Sequence, residues 1–123
     1  MADPKIELYN LNALSGGIER KLAEGMKTTI LPGEKAMLSV VEIEPNAKGK
    51  MHQHPEEQWG VMLKGDAIRY QGETEFHIRE GDVWRTPPNV PHTMKAGENG
   101  ATVLDIFAPI RPEYLKPGEG FGS

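Results

Sequence analysis

The residues best suited to chemistry in this sequence are three of its four histidines, which fall in two clusters. His52 and His54 stand two residues apart, and His92 follows a proline-rich segment later in the chain. On a β-strand, residues two apart project from the same face, so His52 and His54 would lie side by side at a separation suited to chelation. The chain has no cysteine, and histidine is the commonest metal ligand among the residue types that remain. The pattern predicts a site for one divalent transition metal.

A fourth ligand is expected from the segment that follows the first cluster. Gln58 shares strand parity with His52 and His54, whereas Glu57 would face the opposite side if the strand continues past Pro55. We therefore expect Gln58, rather than Glu57, to complete the set with the three histidines. A neutral amide leaves the charge of a dipositive ion facing the open coordination positions, which favours an anionic oxygen ligand. These ligand types do not distinguish nickel, zinc, manganese and iron.

A second group of candidate residues lies near the C-terminal end and consists of Asp105, Phe107 and Arg111. Asp105 and Phe107 share strand parity. If their face is the barrel interior, Asp105 is a partly desolvated carboxylate near a cation, an arrangement that tunes acid and base groups. We expect Arg111, just past Pro109, to curl over the barrel mouth and to offer a bidentate fork to a substrate carboxylate.

Both groups also have a purely structural interpretation. The histidines could pack in a polar barrel interior or lie on the surface, and His77, alone on a polar strand, fits that description. Asp105 could pair with Arg111 or Arg85, with Phe107 as an ordinary core residue. Three histidines at these spacings beside an amide favour the metal site, whereas the residue types alone leave the role of Asp105 open.

The elements that position these residues are predicted to be short strands. With 14 Gly and 10 Pro among 123 residues, the chain must turn often and hold few long helices, which favours an all-β sandwich or barrel. We expect one domain over residues 1–123, with a core of about 17–110 between an N-terminal arm and a C-terminal tail. Runs of apolar and β-branched residues between turn signals predict strands at Ile18–Ala23, Lys27–Leu31, Lys35–Glu44, Lys50–His54, Glu57–Leu63, Ala67–Gln71, Glu73–Ile78, Asp82–Arg85, His92–Ala96 and Thr102–Ala108.

Composition excludes several classes of partner. The formal net charge is -4 and the basic residues are scattered, so no binding to nucleic acid is expected. No stretch approaches the roughly 18 apolar residues of a membrane helix, and the polar start lacks a signal-peptide core, so we expect no membrane association and a cytoplasmic location. Trp59, Val61 and Leu63 alternate away from Gln58 and predict an apolar outer face that a second copy covers in a homodimer.

Two spacings in the chain resemble the two motifs of the cupin family. The first motif is matched by His52, His54, Gln58 and Gly65, and the second by Gly81, Pro87, Asn89 and His92. Gln58 stands where cupins usually have Glu, Asn89 where the second motif has Gly, and Ala96 where it has Asn. The resemblance implies a double-stranded β-helix, a small jelly-roll barrel with the metal inside one end.

The C-terminal residues narrow the resemblance to one group of cupins. Asp105, Phe107, Pro109 and Arg111, together with the predicted ligands, resemble the KdgF-type cupins of pectin and alginate breakdown, which linearise 4,5-unsaturated uronates to 5-keto-4-deoxyuronates. The resemblance implies that the three histidines and Gln58 hold the metal, and that Asp105 and Arg111, with Phe107 nearby, act on a small acidic sugar or other small carboxylate. Two alternatives remain open: a metal-dependent dioxygenase, and a non-catalytic sugar-binding or sensing module.

Overall fold

The computed structural model describes residues 7–121, and its regular structure is almost entirely β. The strands are β1 (Ile18–Ala23), β2 (Met26–Pro32), β3 (Met37–Ile43), β4 (Glu57–Gln71), β5 (Thr74–Arg79), β6 (Val83–Thr86), β7 (His92–Ala108) and β8 (Gly118–Glu119). A single 3-10 turn, Pro112–Leu115, is the one helical element of this range. The predicted all-β class is confirmed, and no helix in residues 7–121 has the length and apolar character needed to cross a bilayer.

The strands form one sheet in the order β5-β4-β7-β3-β2-β1-β8, with β6 also paired to β4. The pairs are antiparallel except for β1 with β8, which is parallel. β4 and β7 pair along nearly their whole length, from Glu57 opposite Ala108 to Gln71 opposite His92. This long ribbon carries candidate site residues along both of its strands, so its geometry decides which side chains face the interior.

Two register shifts interrupt the β4–β7 ribbon, between Met62 and Lys64 and between Gly65 and Ala67. Such bulges bend a strand without ending it. The sequence predicts two strands where the structure has the single strand β4, because Gly65 is absorbed as a bulge with a φ of 79° rather than forming a turn. It also predicts two strands where the structure has β7, whose residues 97–100 lie outside the β4 register between Ala96 and Ala101.

The predicted strand Lys50–His54 is wrong. The structure has only an isolated bridge there, in which His52 and His92 exchange backbone hydrogen bonds of 3.1 and 2.8 Å. Pro55 lacks a backbone donor and cannot extend a ladder. The first histidine cluster therefore lies on a loop pinned to the start of β7, and β4 begins only at Glu57.

The interior is a single cluster of buried apolar side chains contributed by most of the strands, with Ile30, Met37, Met62, Ile78, Val103 and Phe107 among its members. On the outer face, Trp59 and Val83 are 43% and 59% exposed. Trp59 pairs with Ile106 and Val61 with Leu104, so apolar residues continue across this face. The homodimer expected from this face stays a prediction.

Gly65 offers a direct test of the bulge. A Cβ at Gly65 would stand 2.1 Å from the carbonyl oxygen of Gly100, whereas a Cβ at Gly81, which also has positive φ, would meet open space. We expect Gly81→Ala to lower the free energy of unfolding by about 1–2 kcal/mol through backbone strain, and Gly65→Ala to lower it by roughly 1–3 kcal/mol more through the added clash. Urea unfolding of both variants measures the difference, and equal losses would contradict the close approach.

Candidate functional site

The three candidate histidines meet at one point of the barrel. His52 and His54 come from the loop before β4, and His92 is the first residue of β7. One ligand atom from each ring lies within 4.8 Å of the other two. His54 and His92 are buried and His52 is partly buried. The structure thus brings together residues from two distant stretches of the sequence, through the backbone bridge that joins His52 to His92.

The second nitrogen of each ring is fixed by the backbone. Each Nδ1 lies against a carbonyl oxygen two residues away: Lys50 for His52 at 2.7 Å, Glu56 for His54 at 3.0 Å, and Val90 for His92 at 2.8 Å. A carbonyl oxygen can only accept, so Nδ1 donates the hydrogen and Nε2 keeps its lone pair. Such an outer hydrogen bond is typical of metal-binding histidines, because it fixes the tautomer and the ring orientation.

Burial keeps these imidazoles neutral. It lowers the pKa of His52 to about 4 and, helped by the charge of Arg69, the pKa of His92 to about 2. The pKa of His54 is also lowered, by burial and then by Arg111. A metal requires the unprotonated ring. At neutral pH the three lone pairs are therefore available to a cation without first losing a proton.

Gln58 supplies a fourth candidate ligand atom. Its side chain is buried, and its Oε1 lies 2.9 Å from Nε2 of His54. Both atoms present lone pairs when Nδ1 of His54 donates to Glu56, so a cation between them would relieve their repulsion. Nε2 of His92 is likewise buried with no hydrogen-bond partner among the described residues. The donor set fits a divalent transition metal.

Glu57 faces the other side of β4, as its parity predicts. Its carboxylate accepts a hydrogen bond of 2.7 Å from Nε of Arg85 on the neighbouring strand. This partner leaves the Gln58 amide, and not the Glu57 carboxylate, beside the histidines.

Asp105 lies on β7 and lines the same cavity as His52, Gln58 and His92. Its side chain keeps some exposure, but Oδ1 is buried and makes no hydrogen bond to a described residue. Burial raises the pKa of the carboxyl to about 6, against the opposing influence of Arg69, Gln58 and Arg111. Asp105 faces the interior, which is the condition that its acid–base role requires, and neither Arg111 nor Arg85 forms an ion pair with it.

Phe107 and Arg111 complete this wall of the cavity. Phe107 is buried, with its ring edge-on to His54 at 5.4 Å between centroids. Arg111 is only 1% exposed, and its Nε lies 3.7 Å from carboxylate oxygens of Glu56 and Glu113. Arg111 thus does not curl over an open mouth as expected from the sequence, because its guanidinium is enclosed by these acids and by the C-terminal segment.

The C-terminal segment closes the cavity, which sequence analysis missed by treating it as a tail. Phe121 stacks on the ring of His52, with 4.0 Å between centroids, and its carbonyl accepts a hydrogen bond from Arg111. Arg20 on β1 holds the segment by donating to the carbonyl oxygens of Glu113, Lys116, Glu119 and Gly120. A cavity of about 40 Å³ remains beneath it, room for a few water molecules.

Sequence analysis also missed Arg69 and Glu56. Arg69 is 4% exposed and lines the cavity beside Asp105, and Glu56 is 6% exposed beside His54 and Arg111. The alternating pattern of Ala67, Arg69 and Gln71 indicates a strand, but its phase relative to Gln58 depends on the bulge at Gly65. The local sequence does not indicate that Glu56 is buried while its neighbour Pro55 is exposed.

Known proteins share both the sequence pattern and the fold. The family model described as Cupin domain matches residues 39–107. Oxalate decarboxylase OxdC of Bacillus subtilis is 32% identical over 83 residues, which are 63% of this chain and 22% of that protein. The 3-hydroxyanthranilate 3,4-dioxygenase of Ruegeria pomeroyi is 38% identical over 74 residues, which are 56% of this chain and 40% of that protein. The chain thus spans less than half the length of these two curated relatives.

Solved structures match over most of this chain. An RmlC-like cupin from Shewanella frigidimarina superposes with a TM-score of 0.76 and 20% identity, covering 89% of this chain and 96% of that chain. KdgF from Halomonas sp. superposes with a TM-score of 0.71 and 22% identity, covering 80% of this chain and 97% of that chain. At these identities the likeness concerns the fold, and it confirms the double-stranded β-helix.

Removing one imidazole tests the cluster. Losing an outer hydrogen-bond partner of a ligand typically weakens metal affinity by roughly 10–100-fold. We expect His92→Ala to weaken metal affinity by more than this, because it deletes a ligand atom. His77→Gln is the matched control, since His77 is an exposed residue paired with Asp66 at 2.7 Å. Elemental analysis after dialysis measures the metal content of each variant. Equal retention in both variants would show that the cluster does not hold the ion.

The stacking of Phe121 on His52 predicts that the Phe121 ring shields a bound metal from solvent, and this can be tested. We expect Phe121→Ala to release bound metal to a chelator severalfold faster than the unaltered chain, because the ring that covers His52 is gone. Leu115→Ala, which removes a side chain 41% exposed at the end of the 3-10 turn, is the control. Stopped-flow detection with a chromogenic chelator measures the rate. Identical release from both variants would argue against shielding by the ring.

Proposed function

Since this chain belongs to the cupin domain family, we propose that it is a metal-dependent enzyme that linearises a 4,5-unsaturated uronate to the 5-keto-4-deoxyuronate. One observation carries the proposal: Asp105, with a buried and unpartnered carboxylate oxygen, shares one cavity with His52, His92 and the Gln58 amide, and His54 lies in the same histidine cluster. The same wall holds Phe107 and Arg111, the positions at which the sequence resembles the KdgF-type cupins. The match to KdgF from Halomonas sp. supports the fold that this arrangement requires.

His52, His54, His92 and Gln58 would hold the metal. A bound divalent ion would polarise a substrate oxygen and stabilise the negative charge that develops on it. The protein itself holds the imidazoles neutral and fixes their tautomers through three backbone carbonyls. Because all four candidate ligands are neutral, an anionic substrate is attracted to the loaded site.

The proposed reaction needs only proton transfers. The unsaturated uronate is a cyclic hemiacetal whose ring oxygen is also an enol ether oxygen. Asp105 removes the proton from the anomeric hydroxyl, the carbonyl forms at C1, and the bond from C1 to the ring oxygen breaks. The resulting enolate becomes the C5 ketone as Asp105 delivers the same proton to C4. The product is an isomer of the substrate, and no oxidant or reductant takes part.

Access to the cavity requires movement of the C-terminal segment. About 40 Å³ is far below the several hundred Å³ of an ordinary ligand pocket, so a sugar does not fit beneath Phe121 as the segment lies. Displacing Phe121 would uncover His52 and release the Arg111 donor that its carbonyl occupies. We infer that substrate entry replaces these contacts and that the segment then excludes water from the reacting sugar.

A metal-dependent dioxygenase is the second candidate, and sequence similarity favours it. The dioxygenase from Ruegeria pomeroyi is more similar in sequence than the two solved structures described above. Its name specifies an aromatic acid, whereas the wall of this cavity combines a carboxylate with two guanidiniums. A proton-transfer reaction uses the Asp105 carboxylate of that wall directly, which is why we place the uronate reaction first.

The experiment is a spectrophotometric assay of 4,5-unsaturated galacturonate with metal-loaded protein. We expect loss of the alkene absorbance, and a fall of about 10²–10⁴-fold in turnover for Asp105→Asn with unchanged metal content, because general acid–base catalysis is removed. Asp66→Asn, at an exposed carboxylate that contacts His77, is the matched control and is expected to keep full turnover.

The metal-stripped protein and an oxygen-free assay are the controls. Metal-stripped protein that matches the loaded protein would contradict the proposal, and so would loss of metal from Asp105→Asn, which would make Asp105 structural. The assay is repeated without oxygen, where turnover is expected to continue. Oxygen consumption with 3-hydroxyanthranilate would favour the second candidate, and saturable binding of the sugar with no product would favour a sensing module.

A further inference from the structure

The cavity contains a guanidinium that the reaction proposed above does not use. Arg69 lies on β4, is 4% exposed, and lines the cavity together with Asp105, Gln58 and His92. Burial lowers its pKa only to about 10, so it carries a full positive charge at neutral pH. A buried charge is retained in a protein when a partner or a ligand compensates it.

The two buried arginines differ in how their charge is compensated. Nε of Arg111 lies 3.7 Å from carboxylates of both Glu56 and Glu113. Among the described residues, no carboxylate oxygen lies within 4.0 Å of the Arg69 guanidinium, which is the distance limit for an ion pair. Asp105 acts on the charge of Arg69 from farther away. Arg69 is therefore the cavity cation with no direct anionic partner.

Neutral groups hold Arg69 in a fixed orientation. Its Nη2 donates to Oγ1 of Thr86 at 2.8 Å and its Nε donates to Oε1 of Gln71 at 3.3 Å. Thr86 in turn donates to the same Gln71 oxygen at 2.8 Å, and the Trp84 ring lies 5.8 Å from the guanidinium carbon. Nη1 makes no hydrogen bond to a described residue. One side of the guanidinium is thus anchored while Nη1 remains free to donate.

We propose that Arg69 is the residue that binds the carboxylate of a small acidic ligand in this cavity. The planar guanidinium suits a carboxylate, and its pre-set orientation lowers the entropy lost on binding. A ligand carboxylate there would supply the missing counter-charge and would lie next to Asp105 and the histidine cluster. Arg111 lies within ion-pair distance of Glu56 and Glu113, although its Nε and Nη1 make no hydrogen bond to a described residue. It lines the wall and contributes less to affinity.

This inference rests on the proposed function for the kind of ligand, an acidic sugar. It does not depend on whether the uronate reaction occurs. Oxalate and 3-hydroxyanthranilate, named in two relatives, are also carboxylates. Saturated D-galacturonate lacks the alkene and cannot form the 5-keto-4-deoxy product, so its binding tests Arg69 whether or not the uronate reaction occurs. D-galactose differs from it by a hydroxymethyl group in place of the carboxylate and is the matched neutral ligand.

Calorimetric titration of metal-loaded protein with both sugars is the experiment. The unaltered chain is expected to prefer galacturonate, and Arg69→Met is expected to weaken galacturonate binding on the order of 10–100-fold, the range for losing a hydrogen bond to a charged group. Arg69→Lys should restore part of this affinity, and Arg111→Met should lose less than Arg69→Met. Metal content is measured in every variant and is expected to stay constant.

Three results would overturn the proposal. The first is equal affinity of the unaltered chain for galacturonate and galactose, which needs no variant and stands even if Arg69→Met does not fold. The second is galacturonate binding by Arg69→Met that equals the unaltered chain at full metal content. The third is a larger loss in Arg111→Met than in Arg69→Met. Failure of the alkene assay with these titrations as expected would remove the uronate reaction and leave the carboxylate site.

Discussion

The site depends on keeping three imidazoles unprotonated, close together and largely out of water. Each ring is locked by a hydrogen bond from Nδ1 to a backbone carbonyl two residues away, so that Nε2 is the free atom in all three. Burial lowers their pKa values, which removes the mutual repulsion that protonated rings would suffer at this distance. A cluster of lone pairs held this way suits a cation.

Two guanidiniums and two carboxylates lie around the cavity before any cation enters. Arg111 is within ion-pair distance of the buried Glu56, whereas the partly buried Asp105 acts on Arg69 only from farther away, and the Gln58 amide is neutral. A divalent ion therefore adds an excess of positive charge in a region with little water to screen it. An anionic ligand would offset this excess.

The β4–β7 ribbon places these groups in one space. Gln58 on β4 lies opposite Phe107, and Gly60 lies opposite Asp105. The Gly60 position admits the Trp84 ring, since a Cβ there would stand 2.3 Å from ring atoms. Beyond the bulge at Gly65 the inward positions of β4 change from even to odd numbers, so Arg69 faces the same interior as Gln58. The bulge thus joins the candidate ligand Gln58 and the guanidinium of Arg69 on one continuous strand.

The histidines lie on a loop and at the start of β7, so strand alternation explains the inward orientation of Gln58 but not how the three rings meet. The all-β class, the choice of His52, His54 and His92 as candidate ligands, and the orientation of Gln58 were predictable from residue types and spacing. The enclosure of Arg111 by Glu56, the closure by Phe121 and the inward orientation of Arg69 were not. Each depends on a contact between distant segments or on a bulge that reverses the phase of a strand. Local sequence determined which side chains could take part, and only the tertiary structure decided which of them share the cavity, because burial and electrostatic neighbours arise when separate strands pack together.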